Sequence, residues 1–440
     1  MGKYFGTDGI RGIANEELSA TIAFKVGQYL GFKFKGEKIL IGTDTRISKD
    51  MLESALCAGI TSTGADVYLT KVISTPGVSY LVKHENFSAG IMISASHNPY
   101  YDNGIKVFNN QGEKIAEELE LAIESYLDDE ITIELAKTDE LGKIIDYQGQ
   151  VRNYLDYLMS TITSDLSGFK VILDCANGSV SQLAPQLFSA LKIDYQVICN
   201  EPDGYNINVN CGSTHLGRLS QEVKNSSADL GLAFDGDADR LLVVDSKGAI
   251  VDGDKIMYIC ACHLKELNKL NNDTVVTTVM SNIGLYKALG NVGLKYEKTA
   301  VGDKYVYENM QKYNYSIGGE QSGHIIIQQY ASTGDGMLTA LQLLEAIIFS
   351  KKSLDELASE VTIYPQLLKN IKVTDKDKVL SSQVLLDEVA KVEEELHGDG
   401  RVLLRASGTE PLIRVMVEAS TTQLCEKYVD HLLAVVAKIG

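Results

Sequence analysis

The sequence predicts an α/β protein of several domains, on three observations. The first is length: 440 residues exceed what one core ordinarily serves, at roughly 100 to 200 residues per domain. The second is a recurring unit, in which a β-branched apolar run is followed by a polar turn and then an amphipathic stretch. The third is a change of rhythm after about residue 366, where short strands and isolated helices replace the β-turn-α unit.

Three such units resemble one another: KILIGTDTRISKDMLESAL (38–56), FKVILDCANGSVSQLAPQLF (169–188) and DTVVTTVMSNIGLYKALG (273–290). Their likeness predicts three related α/β domains in series with largely parallel sheets. The polar, acidic stretch 128–149 reads as a helix end and linker, and DSKGAIVDGDK (245–255) reads as a hairpin before a helix near Gly253. The tail predicts a helix near 382–396, two strands around RVLLRASGTEPLIRVMVEA and a closing helix, together a small C-terminal α+β domain. The expected divisions are 1–150, 151–253, 254–365 and 366–440.

Composition narrows the functional classes. Hydrophobic residues make up 45% and charged residues 23%, so disorder is excluded. The net charge of −18 sets mostly like charge against nucleic acid or an anionic membrane, so neither is expected as a partner. Any anionic ligand must find a local basic pocket. Seven cysteines without a C-x-x-C pair read as reduced thiols, and with no signal stretch or apolar run of about 20 residues a cytoplasmic protein is expected.

Arginine is scarce, eight of 41 basic residues, so its positions carry information. Five fall inside Gly/Asp/Ser-rich turns, FGTDGIRG, GTDTRIS, DGDADR, RASGTEP and EPLIR: Arg11, Arg46, Arg240, Arg405 and Arg414. A planar fork suits phosphate or carboxylate, and five such placements point to a polyanionic ligand rather than five local ion pairs.

Four segments carry candidate chemistry. In AFDGDADR, Asp235, Asp237 and Asp239 alternate along an extended segment, so their carboxylates can converge on a hard cation such as Mg²⁺ or Ca²⁺. A calcium helix-loop-helix is excluded, because the loop would need Gly and Glu where Arg240 and Ser246 stand. In GIMISASHNPYYDNGIKVFN, Ser94, Ser96 and His97 sit at the end of a strand, and a second turn at DNG presents Lys106. No G-x-S-x-G elbow is present, which argues against an esterase. IGGEQSGHIII offers Glu320, Ser322 and His324 for sugar hydroxyl groups and proton transfer. RASGTEP offers Arg405, Ser407 and Thr409 with a free N–H at Gly408, a nest suited to phosphate.

Taken together, S-A-S-H-N-P, D-G-D-A-D-R, G-E-Q-S-G-H and R-A-S-G-T-E-P, in this order from residue 4 to about residue 438, resemble the α-D-phosphohexomutase superfamily. The resemblance implies four domains around a central cleft, the fourth closing over the substrate. It implies that Ser96 is a phosphoserine and that Ser96, Asp235, Asp237 and Asp239 hold Mg²⁺. Glu320 and Ser322 would grip the sugar, while Arg405, Ser407, Gly408, Thr409 and Arg414 would bind the phosphate that is not reacting. Lys106 and His324 would move protons, Arg240 would stabilise charge, and His97 and Arg11 would support the phosphoserine.

The opening YFGTDGIRG, Gln321 and the ending LIRVMVEA look most like members acting on glucosamine phosphates, with glucosamine 1,6-bisphosphate as intermediate and primer. Mannose or glucose phosphates, and a non-catalytic sugar-phosphate sensor, stay open as alternatives, as do monomer and homodimer. Two departures stand out: Lys304 where relatives often have Arg, and Ala238 where Gly is frequent.

Overall fold

The computed structural model describes residues 2–407 and 411–440, which form two compact units. One comprises Met1–Val279 with Tyr296–Ala358; the other comprises Met280–Lys295 with Ser359–Gly440.

The first unit contains three sheets. The largest orders its strands Phe5–Gly6, Gly9–Ile13, Asp102–Asn109, Ala89–Ile93, Lys38–Thr43, Asp66–Val72 and Ile144–Asp146. The last four run parallel, and Asp102–Asn109 turns back antiparallel against Ala89–Ile93. The second sheet orders Ile250–Val251, Leu241–Asp245, Leu230–Phe234, Lys170–Asp174 and Asp194–Ile198, again with parallel pairs on one side and antiparallel pairs on the other. In the third, Thr274–Thr278 pairs parallel with Ile317–Gly319, which pairs antiparallel with Ile325–Ile327. The expectation of largely parallel sheets is therefore corrected: each has a parallel part extended by antiparallel strands that short hairpins allow.

Local sequence explains the main elements. Strand Ala89–Ile93 is buried throughout, as its unbroken run of small and apolar residues requires. Helices Ala20–Lys33 and Lys49–Thr63 pack closely because Gly27 and Gly59 carry no Cβ; one at Gly59 would stand 2.2 Å from the Phe24 carbonyl oxygen. The stretch 128–149 is more than a linker, since Ile144–Asp146 adds a parallel strand beside Asp66–Val72. Three residues of edge strand are too few to announce themselves by alternation.

In the second unit, strands Gln366–Lys372, Leu412–Glu418 and Arg401–Ala406 form an antiparallel sheet with Leu412–Glu418 in the middle. Helices Gln383–Glu395 and Thr422–Ile439 cover it, with Val415, Val417, Val429 and Leu432 in the core. The helix of the third repeat, Ile283–Asn291, groups with this unit, its first N–H donating to Glu418 Oε2 at 3.1 Å. No helix among the described residues is long and apolar enough to cross a membrane.

Candidate functional site

The Ser turn follows the buried strand Ala89–Ile93, which ends where Ser94 donates its hydroxyl to Asp44 Oδ2 at 2.7 Å. Ser94 Oγ in turn accepts the N–H of Ser96 at 2.9 Å, so Ser94 shapes the turn and Ser96 is the residue presented. Ser96 adopts a left-handed backbone, φ 54°, a conformation that a non-glycine residue keeps only when its surroundings impose it.

The imposing group is Arg46, which is wholly buried. It pairs with Asp44 at 2.9 Å and donates to the carbonyl oxygens of Ser96, Asn98 and Asp102 at 2.9, 2.8 and 3.0 Å, and to that of Pro99. All its donors face the protein, so the expectation that Arg46 serves a polyanionic ligand is corrected: it is the local ion pair. Three other arginines also leave the turns in which the sequence placed them. Arg11 lies on strand Gly9–Ile13, Arg405 on Arg401–Ala406 and Arg414 on Leu412–Glu418.

Strand Leu230–Phe234 ends at the acidic segment, and the three carboxylates meet on a turn rather than on an alternating strand. Ala238 at φ 56° makes that turn, its N–H donating to the Asp235 carbonyl at 3.1 Å. An L-residue pays strain at such a backbone, which is why Gly suits this position and why Ala nonetheless keeps the loop closed. One carboxylate oxygen from each of Asp235, Asp237 and Asp239 lies within 4.8 Å of the others, all three residues being buried.

The Ser turn and this loop converge. The Ser96 hydroxyl donates to Asp235 Oδ2 at 2.6 Å and lies 3.2 Å from His97 Nδ1. Lys106 lies within strand Asp102–Asn109, of which D-N-G is the start; the second turn falls just before it, at Tyr100–Tyr101, where the Asp102 N–H donates to the Pro99 carbonyl at 3.2 Å. The buried Lys106 Nζ is 2.8 Å from Asp237 Oδ2, 3.3 Å from Asp239 Oδ2 and 3.1 Å from Asp8 Oδ2. Asp8 also pairs with Arg11 and with Lys114, the latter at 3.0 Å, while Lys114 reaches Asp303 at 2.7 Å.

Burial and neighbouring charge set the protonation states. Burial, then Asp239 and Asp237, push Asp235 well above the usual carboxylate range. Burial opposes the charged forms of Asp239 and Asp8, yet Lys106 and the cations around it hold both carboxyls down. Lys106 is held well above its ordinary value against burial by Asp237, Asp8 and Asp239. His97 falls to about 4, through burial first and then Arg240 and Arg11, so its ring is neutral at pH 7.

Asp237 Oδ1 and Asp239 Oδ1 are buried and have no hydrogen-bond partner among the described residues. Buried carboxylate oxygens without a hydrogen bond are costly, and three hard oxygens on a tight turn are a donor set that suits a divalent ion. Arg240 donates its N–H to Asp235 Oδ1 at 3.2 Å, and its Nε lies 3.8 Å from Asp239 Oδ1.

The loop between Ile317–Gly319 and Ile325–Ile327 reaches the same place, since the Leu241 N–H donates to the Gly323 carbonyl at 3.0 Å. Glu320 accepts the Gly302 N–H at 3.0 Å, and Ser322 Oγ is 3.5 Å from its other oxygen. Gln321 turns instead to Asp252 Oδ2, 3.1 Å away, a residue that caps helix Gly253–Glu266. His324 Nε2 accepts the Gly334 N–H at 3.0 Å, which leaves the neutral ring's proton on Nδ1, 3.6 Å from Asp239. Burial works against a charged His324, yet Asp239 and Asp303 raise its pKa; a second proton at Nε2 would exchange the Gly334 contact for Asp303, 3.7 Å away.

The second unit holds a basic pair. Arg405 and Arg414 are directly opposite across their strands, and the Nε of each has no partner among the described residues. Burial, then Arg414, lowers the pKa of Arg405. Like charges placed opposite one another are unfavourable unless an anion joins them. Ser407 is buried beside them in sequence, its N–H donating to the Leu412 carbonyl at 2.9 Å; Gly408 and Thr409 lie outside the described residues.

The structure adds residues that sequence reasoning missed as members of the site: Asp8, Thr75, Lys114 and Asp303. Asp8 and Asp303 sit inside quoted motifs, FGTDGIRG and VGDKYV, and could have been flagged. Thr75, whose N–H donates to the Asp237 carbonyl at 3.0 Å and whose hydroxyl donates to Asp237 Oδ2, carries no sequence signal.

The phosphoglucomutase/phosphomannomutase family matches the chain in four parts: α/β/α domain I at residues 2–134, domain II at 147–248, domain III at 252–364 and the C-terminal domain at 368–435. The phosphoglucosamine mutase of Oceanobacillus iheyensis is 53% identical over 440 residues, covering 99% of each chain. That of Bacillus cereus is 53% identical over 447 residues, covering 100% of each. Among solved structures, a phosphoglucomutase/phosphomannomutase family protein from Burkholderia thailandensis superposes with TM-score 0.83 at 23% identity, covering 99% of this chain and 97% of that one. The N-acetylphosphoglucosamine mutase of Aspergillus fumigatus, in complex with GlcNAc-6P and magnesium, superposes with TM-score 0.71 at 17% identity, covering 99% and 96%. At these identities the structural likenesses speak for the fold.

Proposed function

Because the chain belongs to the phosphoglucomutase/phosphomannomutase family, within the α-D-phosphohexomutase superfamily, we propose that it interconverts glucosamine 6-phosphate and glucosamine 1-phosphate through a phosphoserine at Ser96. It is accordingly an isomerase that moves a phosphoryl group. The observation that carries the proposal is the 2.6 Å contact between the Ser96 hydroxyl and Asp235 of the carboxylate triad, which supports Ser96 as the group that accepts the phosphoryl.

In the forward direction the bond between phosphorus and Ser96 Oγ breaks while one to the sugar O1 forms and the O1 proton passes to His324, giving glucosamine 1,6-bisphosphate. The bisphosphate turns end for end, and its 6-phosphoryl group returns to Ser96. Phosphoryl transfer asks mainly for positioning and charge stabilisation. Asp235, Asp237 and Asp239, with the Ser96 oxygen, would hold Mg²⁺, which when bound neutralises charge on the transferring group. Lys106 and Arg240 add fixed positive charge beside the carboxylate triad. Lys106, enclosed by three carboxylates, keeps its proton and so serves as positive charge rather than base. His324, whose Nδ1–H faces Asp239, carries the exchangeable proton of this site, and neutral His97 and Arg11 support the phosphoserine. Glu320 and Ser322 take the sugar hydroxyl groups. Arg405, Arg414, Ser407, Gly408 and Thr409 take the phosphate that does not react.

The same reading includes the divisions 1–150, 151–253, 254–365 and 366–440, a cytoplasmic location, and a small sugar phosphate as the partner. It is tested by kcat/KM for glucosamine 6-phosphate, glucose 6-phosphate and mannose 6-phosphate, with Mg²⁺ and the matching 1,6-bisphosphate as primer. Preference for glucosamine 6-phosphate is expected. Preference for a neutral hexose would replace the substrate and keep the site, and absence of turnover with all three would overturn the proposal.

A further inference from the structure

Away from the carboxylate triad, the second sheet gathers another cluster: the Sγ atoms of Cys199 and Cys211 and a carboxylate oxygen of Asp174 lie within 4.8 Å of one another. The two cysteines flank the loop that runs from the end of strand Asp194–Ile198, and neither is in a disulfide. Cys211 is buried, whereas Cys199 is only half-buried. Arg218 Nη1 lies 3.3 Å from Cys199 Sγ.

Such a cluster can serve either a soft metal ion or redox chemistry, and the surrounding groups distinguish the two. A guanidinium at hydrogen-bond distance favours a thiolate and opposes a second cation at the same sulfur. Both Asp174 oxygens are already engaged, Oδ1 by the Ala176 N–H at 3.0 Å and Oδ2 by the Gly212 N–H at 2.9 Å. What remains is an asymmetric pair of sulfurs, one partly exposed beside a cation and one buried. Cys199 also adopts φ 53°, a left-handed backbone unusual for this residue type, so its position is imposed by the loop.

We propose that Cys199 and Cys211 are a peroxide-reactive pair that closes a reversible disulfide. The Cys199 thiolate attacks hydrogen peroxide, giving a sulfenic acid and releasing hydroxide. The Cys211 sulfur then displaces the hydroxyl group from Cys199, the S–S bond forms and water leaves with the Cys211 proton. Peroxide is reduced and the two thiols are oxidised; an external dithiol reverses the step. The hydrogen bond from Cys211, with Arg218, holds the Cys199 thiol below its ordinary value against burial, while the same bond and burial raise Cys211. The other half-buried thiol, Cys262, and the buried Cys57, Cys175, Cys260 and Cys425 serve as internal controls.

Closure has a route to Ser96. The loop between the two cysteines carries Asn208, whose amide donates to the Ser96 and Asn98 carbonyl oxygens at 2.9 and 3.1 Å. A disulfide of about 2 Å ties the two ends of that loop to each other, and with them the support of the Ser turn. This consequence rests on the role proposed for Ser96; the bond itself does not.

The experiment exposes the full chain to hydrogen peroxide, blocks free thiols with N-ethylmaleimide and maps the peptides by mass. A linked 199–211 peptide that disappears with dithiothreitol is expected, as is its loss in Cys199→Ser and Cys211→Ser. Arg218→Gln should slow its formation about tenfold, the effect of raising the attacking thiol by about one pKa unit. Recovery of both cysteines as maleimide adducts after peroxide would overturn the proposal. So would stoichiometric Zn²⁺ binding to the reduced protein that Cys199→Ser abolishes. Turnover should fall severalfold in the oxidised protein and return on reduction; unchanged turnover in fully linked protein would overturn the connection to Ser96.

Discussion

The Arg46 guanidinium is closed on every side by the protein, with its Nε 2.9 Å from Asp44 Oδ2 and neither side chain exposed. A buried ion pair is weak evidence for stability when replaced as a pair, but removing one partner strands the other charge. Here the same guanidinium also supports the backbone of Ser96, Asn98 and Asp102. Arg46→Met is therefore expected to lower the stability of its unit by about 3–5 kcal/mol. Chemical denaturation checks this, and a midpoint like that of the parent would contradict it.

Ser96→Ala removes one hydroxyl and one hydrogen bond to Asp235, a loss of about 1 kcal/mol in stability. Turnover is expected to vanish while sugar-phosphate binding and the melting curve stay close to the parent's. Full turnover would end the assignment of Ser96.

Lys106 neutralises three carboxylates that otherwise face one another. Lys106→Met should lower turnover by about 10²–10⁴-fold, the range for a positioned proton-transfer or charge-stabilising group. It should also make the chain depend more on a divalent cation, so that Mg²⁺ raises the melting temperature by more than in the parent. An equal or smaller Mg²⁺ shift would show that Lys106 does not share its carboxylates with the ion.

Arg405 and Arg414 oppose one another, and the Nε of each has no hydrogen-bond partner among the described residues. Arg405→Ala should chiefly raise KM for the sugar phosphate, because the residue is proposed to grip the unreacting phosphate. It should leave the ligand-free unit no less stable, since a like-charge pair is relieved. A large fall in kcat at unchanged KM would contradict this division of labour.

Glu124 accepts the N–H groups of Lys3, Tyr4 and Phe5 at 2.9, 2.6 and 2.8 Å. Burial opposes its charge, but the three donors hold its carboxyl below the ordinary value of 4.5. A depressed carboxyl contributes stability that is fully present above the unfolded value and is lost as pH falls through the folded one. Glu124→Gln should therefore flatten the pH dependence of stability below about pH 4.5 while changing it little above. Denaturation between pH 3 and 7 would show the difference, and identical profiles would refute it.

The fold and much of the candidate site were legible in the chain. Three repeats announced themselves because a β-turn-α unit has two distinct periodicities joined by turn residues, and the structure has a strand and a helix in each. Asp235, Asp237 and Asp239 were found from spacing, although their convergence comes from a turn through Ala238 and not from strand alternation. The arginine argument separated into two outcomes: Arg405 and Arg414 keep unpaired donors, while Arg46 spends all of its own on the protein. Both outcomes look alike in sequence, since each is an Arg near Gly, Asp or Ser.

By itself the sequence determined which segments form strands, helices and turns, the supply of carboxylates and cations, and the family. These follow from local periodicity, backbone preference and residue chemistry, which neighbours in the chain decide. Tertiary structure alone decided that Asp8, on the turn before strand Gly9–Ile13, meets Lys106 of the adjoining strand Asp102–Asn109, that Thr75 bonds to Asp237, that Arg46 faces inward and that Cys199 meets Cys211 and Arg218. The first depends on strand order and register within one sheet, and the others join loops and helix ends that the packing of the strands brings together. Register is set by the packing of whole faces, so it is a property of the assembled core and not of any one segment.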